Sequence, residues 1–131
     1  EAKSGGKDQK YPWGNAEATC ERAVMFANGG RGCDSGDMMP VCSRPAGNTA
    51  QGLCDMAGNV KQWVQEKHLE SYADAPADGS ALEARGAYRV VRGGSYFNSD
   101  PMRLRSDYRD AVQPSPAIYE SIGFRLARSS R

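Results

Sequence analysis

One histidine, no C-x-x-C pair and no long apolar run set the first limits on this 131-residue chain. A metal centre built from two or three imidazoles cannot come from this chain, because His68 stands alone. His68 lies in the polar run "QEKHLES" and is read as a surface residue. Structural zinc sites bring thiolates in close couples, and the cysteine separations here are much longer, so zinc is the lesser reading. No apolar stretch approaches the roughly 18 residues that a membrane-spanning helix needs. The opening "EAKSGGKDQK" is charged and has no apolar centre, so it is not read as a signal peptide. Either a leader has been removed or the chain begins inside a longer protein. No glycine-rich loop runs into G-K-[ST], and Ser95 lacks the G-x-S-x-G elbow, which sets aside a phosphate cradle and a hydrolase nucleophile.

What the chain does contain is glycine, cysteine in its front half, and arginine in its back half. Fifteen glycines and seven prolines interrupt "YPWGN", "FANGGRGCDSGD" and "SRPAGNTAQG" too often for a helical period to persist. Short strand-like runs remain in "NVKQWVQ", "AYRVVRGG" and "IGFRLA", the last alternating Ile122, Phe124 and Leu126 on one face. "ADAPADGSALEARG" reads as a surface loop. Cys20, Cys33, Cys42 and Cys54 permit three pairings. The sequential one, Cys20 with Cys33 and Cys42 with Cys54, closes two short loops and is expected, which implies an extracytoplasmic setting. Residues 1–84 carry 8 Lys/Arg against 12 Asp/Glu, and residues 85–131 carry 9 Arg against 4 acids. The arginines alternate with acids in "RLRSDYRD", which reads as ion pairing, and no nucleic-acid partner is expected.

Four stretches, in order, resemble the formylglycine-generating enzyme family, or sulfatase-modifying-factor domain. They are "YPWGN", "PVCSRPAGNTAQGLCDMAGNVKQWV", "RVVRGGSYFN" and "IGFRLAR". The resemblance covers nearly the whole chain and implies an α+β, C-type-lectin-like fold with little regular secondary structure, short antiparallel strands and long loops. It also implies that residues 1–131 are the C-terminal part of a single such domain, whose N-terminal half or a partner chain lies elsewhere.

The family's oxidases use two active-site cysteines that bind copper, both after "GGS-[YW]". The matching stretch here is "GGSYFNSDPMRLRSDYR", with Asn98 near the first position and Met102 or Arg103 near the second. Copper(I) prefers polarizable thiolates, and none stands there, so copper is not expected. A superfamily branch with histidine-held iron would need ligands from outside this chain. In "DMAGNVKQW" the resemblance implies a Ca²⁺ site from the Asp55 side chain, the Gly58 and Val60 carbonyls, and the Gln62 side chain, where glutamate is usual. The alternative is a turn in which Asp55 bonds backbone amides and Asn59 is left-handed.

Two functions follow. One is a non-catalytic recognition or structural domain presenting Phe97, Asn98, Ser99 and Asp100 with Asp107, Tyr108 and Tyr119 to a protein, peptide or glycan. The other is an enzyme or enzyme subunit of the superfamily, a copper or non-haem iron oxidase completed by a missing half. Gly93 and Gly94 are read as permitting positive φ or close backbone approach at a strand end, with Ser95 bonding a nearby backbone group, and Arg103, Arg105 and Arg109 are expected to pair with nearby acids.

Overall fold

The computed structural model describes residues 8–71, 73, 76–77, 80–81, 86–115 and 119–127. The opening residues and much of "ADAPADGSALEARG" lie outside these. Four strands form one sheet: β1 (Lys61–Lys67), β2 (Arg89–Arg92), β3 (Asp110–Val112) and β4 (Ile122–Gly123), in the spatial order β3-β2-β1-β4. Among the described residues the helical content is two 3-10 turns, Pro45–Gly47 and Pro101–Leu104. The other described residues are loop, which is the α+β, C-type-lectin-like arrangement with little regular secondary structure. No helix among the described residues is long and apolar enough to cross a membrane.

The strands are not all antiparallel. β1 pairs antiparallel with β2, and β2 with β3, but β4 runs parallel to β1 through Lys61↔Ile122 and Gln62↔Gly123. β3 and β4 therefore point the same way on opposite edges, and a hairpin cannot join strands so placed. The nine residues between them can reach about 30 Å when extended, more than the width of a four-stranded sheet. β1 also bulges between Trp63 and Lys67.

β2 lies inside the sheet, and its consecutive residues Val90 and Val91 are both fully buried. Successive side chains on a strand face opposite ways, so both faces are covered at this point. A second core gathers Tyr11, Ala23, Met25, Ala57 and Leu104, with Trp13, Ala18, Ala27 and Cys33 packed against it. "YPWG" builds its rim: Tyr11 and Gly14 exchange backbone hydrogen bonds at 2.9 and 3.0 Å, and the Tyr11 and Trp13 rings stack at 5.0 Å. The disulfides pair sequentially, Cys20 with Cys33 and Cys42 with Cys54.

"IGFRLA" departs from expectation. Ile122 is half-buried, but Phe124 and Leu126 are 74% and 89% exposed. Pairing with β1 stops at Gly123, and no described element covers the face beyond it. His68 is half-buried rather than on the surface, and its N–H donates to the Tyr88 carbonyl at 3.0 Å, prolonging the β1–β2 contact.

An ion pair spans the sheet across β2, from Lys61 Nζ on β1 to Asp110 Oδ2 on β3 at 2.8 Å, with Arg103 at 3.6 Å. Partial burial favours the neutral acid, but the hydrogen bond and charge of Lys61, the Ala111 N–H and Arg103 outweigh it and hold the Asp110 carboxyl below its ordinary pKa. A depressed folded pKa contributes stability above the unfolded value of roughly 4, and this is lost as pH falls through the folded pKa. Asp110→Asn is expected to cost well under about 1 kcal/mol at neutral pH, since the pair is partly solvated. The difference from wild type, followed by urea unfolding against pH, should vanish in acid.

Candidate functional site

The candidate site is organised by the approach of two backbones. Gly93 and Gly94 have φ of 93° and 65°, as expected. A Cβ on Gly93 would lie 2.9 Å from the Met56 carbonyl oxygen, and the Gly58 N–H donates to the Gly93 carbonyl at 2.7 Å. Glycine is therefore required by both conformation and proximity. Asn59, at φ 65°, joins the surrounding loops. Its N–H donates to Val24 O and its carbonyl accepts from Tyr96 N, while its side chain bonds both the N–H and the carbonyl of Met39.

The loop after the glycine pair uses several of its polar groups internally. Asn98 Oδ1 accepts from Ser95 N at 2.8 Å and from Ser95 Oγ at 3.3 Å, so the Ser95 hydroxyl meets a side chain, while the Ser95 carbonyl accepts from the Asn98 N–H at 3.0 Å. Asp100 caps the turn Pro101–Leu104 by accepting from Met102 N at 2.9 Å. Tyr96 is core, and Phe97 packs on it at 4.1 Å beneath the Arg31 guanidinium, 4.4 Å from the ring centroid. Ser99 is exposed.

A surface groove of about 330 Å³ opens nearby, lined by Met102, Arg105, Asp107, Tyr108 and Arg109. It brings the expected Asp107 and Tyr108 together, while Phe97 to Asp100 and Tyr119 are not among its lining. Tyr119 instead donates to the Gln113 carbonyl at 3.2 Å. Arg105 grips Asp107 through two hydrogen bonds, 2.9 and 2.8 Å, which raise the guanidinium pKa further. With both oxygens so engaged, Asp107 is poorly placed to act as a base. Arg103 sits 5.7 Å from the centroid of the Tyr108 ring, and Arg109 donates to the Glu70 carbonyl at 2.8 Å. Met102 is 58% exposed and walls the groove rather than packing in the core. The surface offers an aromatic platform, an apolar wall and fixed hydrogen-bonding forks, which suit recognition. All four cysteines are in disulfides, so none of them presents a thiolate to this groove.

In the segment implied to hold Ca²⁺, protein donors already engage one oxygen of each of its two side chains, Asp55 and Gln62. Asp55 Oδ2 accepts from Cys42 N at 2.7 Å, and Asp55 and Asn59 are left-handed, φ 52° and 65°. Gln62 Oε1 accepts from Arg125 Nε at 2.6 Å, and Gln62 Nε2 donates to the Asp55 carbonyl at 2.6 Å. The Gly58 N–H and the Asn59 N–H are spent on tertiary contacts. Sequence reasoning passed over Arg125, although "IGFRLA" flagged it: on a period-two strand, Arg125 must face opposite Phe124 and Leu126.

Comparison with known proteins accords with this geometry. Residues 1–130 match the sulfatase-modifying factor enzyme 1-like domain. The chain is 36% identical to the serine/threonine-protein kinase Pkn1 of Chlamydia trachomatis, over 97% of this chain and 19% of that protein. It is 38% identical to the formylglycine-generating enzyme of Streptomyces coelicolor, over 70% of this chain and 29% of that protein. Among solved structures, the Treponema denticola variable protein 1 superposes with a TM-score of 0.72 and 25% identity, over 94% of this chain and 41% of that one. The chain thus spans less than half the length of each. The chain belongs to the sulfatase-modifying factor enzyme 1-like domain family.

Proposed function

We propose that this chain is a non-catalytic recognition module on the formylglycine-generating-enzyme-like scaffold, binding a peptide, protein or glycan. The binding surface is the groove at Asp107 and Tyr108, with Phe97, Asn98, Ser99 and Asp100 and with Tyr119 as further contacts. The observation that carries this reading is the groove itself: it lies in the stretch where the family's oxidases place their thiols, and it is lined by Met102, Arg105, Asp107, Tyr108 and Arg109. The two disulfides support an extracytoplasmic location. A glycan array and a peptide library are suitable probes. Tyr108→Ala is expected to weaken any ligand so found by about tenfold or more, the scale of an aromatic anchor. Unchanged binding in both Tyr108→Ala and Arg105→Ala would sink the groove assignment.

A second reading draws on the identity to the formylglycine-generating enzyme. Here the chain is one part of an enzyme, completed by a preceding half or partner chain that docks against exposed Phe124 and Leu126 beside β4, an edge strand among the described residues. In the same preparations, oxidation of a peptide cysteine with added copper should stay at the buffer rate. Turnover by this chain would overturn the non-catalytic reading, and an upstream coding region without such a half would overturn the second.

A further inference from the structure

We propose that the Arg125 guanidinium is the resident cation of the turn from Cys54 to Gln62, and that this turn closes without Ca²⁺. Three oxygens converge on that one side chain. Nε donates to Gln62 Oε1 at 2.6 Å, and Nη2 reaches the carbonyls of Cys54 at 2.9 Å and Asp55 at 3.3 Å. The orientation of the Gln62 amide is fixed by chemistry. A guanidinium only donates and a peptide carbonyl only accepts, so Oε1 must face Arg125 and Nε2 must face the Asp55 carbonyl. Flipping the amide would set Nε2 against the Arg125 N–H groups and Oε1 against the Asp55 carbonyl oxygen, two repulsive contacts.

Charge leads to the same conclusion. Ca²⁺ affinity rises with the number of anionic ligands. This segment supplies one carboxylate, Asp55, one of whose oxygens is held by the Cys42 N–H, while the Arg125 guanidinium brings its positive charge to the Asp55 backbone carbonyl. With glutamine at position 62 the oxygen set is nearly neutral, which suits a monovalent planar cation better than a hard dication. Arg125 also links the end of β4 to a loop 71 residues away, replacing a metal as a long-range tie.

The test compares thermal unfolding of the chain in millimolar Ca²⁺ and in EDTA, alongside calorimetric titration with Ca²⁺. Wild type is expected to show the same Tm in both buffers and no binding heat. Arg125→Gln should lower Tm equally in both. The pair Gln62→Glu with Arg125→Gln restores a carboxylate and removes the guanidinium, and should gain Ca²⁺-dependent stabilisation. A rise of more than about 3 °C for wild type in Ca²⁺, abolished by Asp55→Ala, overturns the proposal. The wild-type comparison decides even if a variant fails to fold.

Discussion

Alanine at Gly47 is expected to destabilise the fold by about 3 kcal/mol, at the upper end of overpacking effects. Gly47 is buried in the turn Pro45–Gly47, and a Cβ there would overlap the backbone carbonyl oxygen of Arg22. The carbonyl cannot easily retreat, because Arg22 N and Ala23 N both donate to Thr19 O at 2.9 Å and fix the facing turn. Nor can the glycine turn away, since its own N–H is bonded to Arg44 O. Gly86 provides the control. Among the described residues nothing lies within 4 Å of where its Cβ would sit, and Gly86→Ala should fall within about 0.5 kcal/mol of wild type. Urea unfolding of the two variants measures the contrast. If Gly47→Ala proved as mild as Gly86→Ala, the close packing of this turn on residues 19–23 would be wrong.

Removing the Cys20–Cys33 bond, by serine at both positions, should cost a similar amount. A closed loop of this length, 13 residues apart in sequence, restricts the unfolded chain by about 3 kcal/mol. For a domain of this size that corresponds to a drop in Tm of roughly 10 °C. The loop encloses Ala23, Val24 and Met25, all buried, and Cys33 itself packs on the core. Serine there would add a polar group in apolar surroundings, so the loss should exceed that for Cys42 and Cys54, whose Cys42 end is exposed. Calorimetry on the two double variants decides. Equal losses would show that chain restriction alone accounts for both bonds.

Much of this architecture was legible because its signals are local. The glycine pair needs positive φ wherever two backbones meet at "RGGS", and a sequential disulfide pairing follows from short separations. The strand in "KQWVQ" shows in an imperfect apolar alternation, and that in "RVVR" in its β-branched pair. What was not legible depends on partners distant in sequence. Asn59 reads as a turn residue, yet it joins residues 24, 39 and 96. Met102 reads only as standing near a family thiol position, yet it is exposed and walls the groove beside the Asp100 cap. Asn98 and Asp100 look like adaptable polar contacts, and their side chains are spent partly on the loop's own backbone. The parallel β4 was missed because a two-residue strand has no pattern of its own to declare its direction.

The long reach of the Arg125 tie bears on how the chain acquires its shape. Ser106 N donates to the Lys10 carbonyl, Arg109 reaches Glu70, and Arg125 reaches Cys54 and Gln62, so the sheet edges are secured late in chain order. Such distant contacts recover the entropy of loop closure only after most of the chain has been ordered, which places folding on a millisecond-to-second scale. The disulfides, by contrast, join residues 13 and 12 apart. Oxidation can therefore shape the front loops during synthesis, before residues 106–125 emerge to lock them to the sheet.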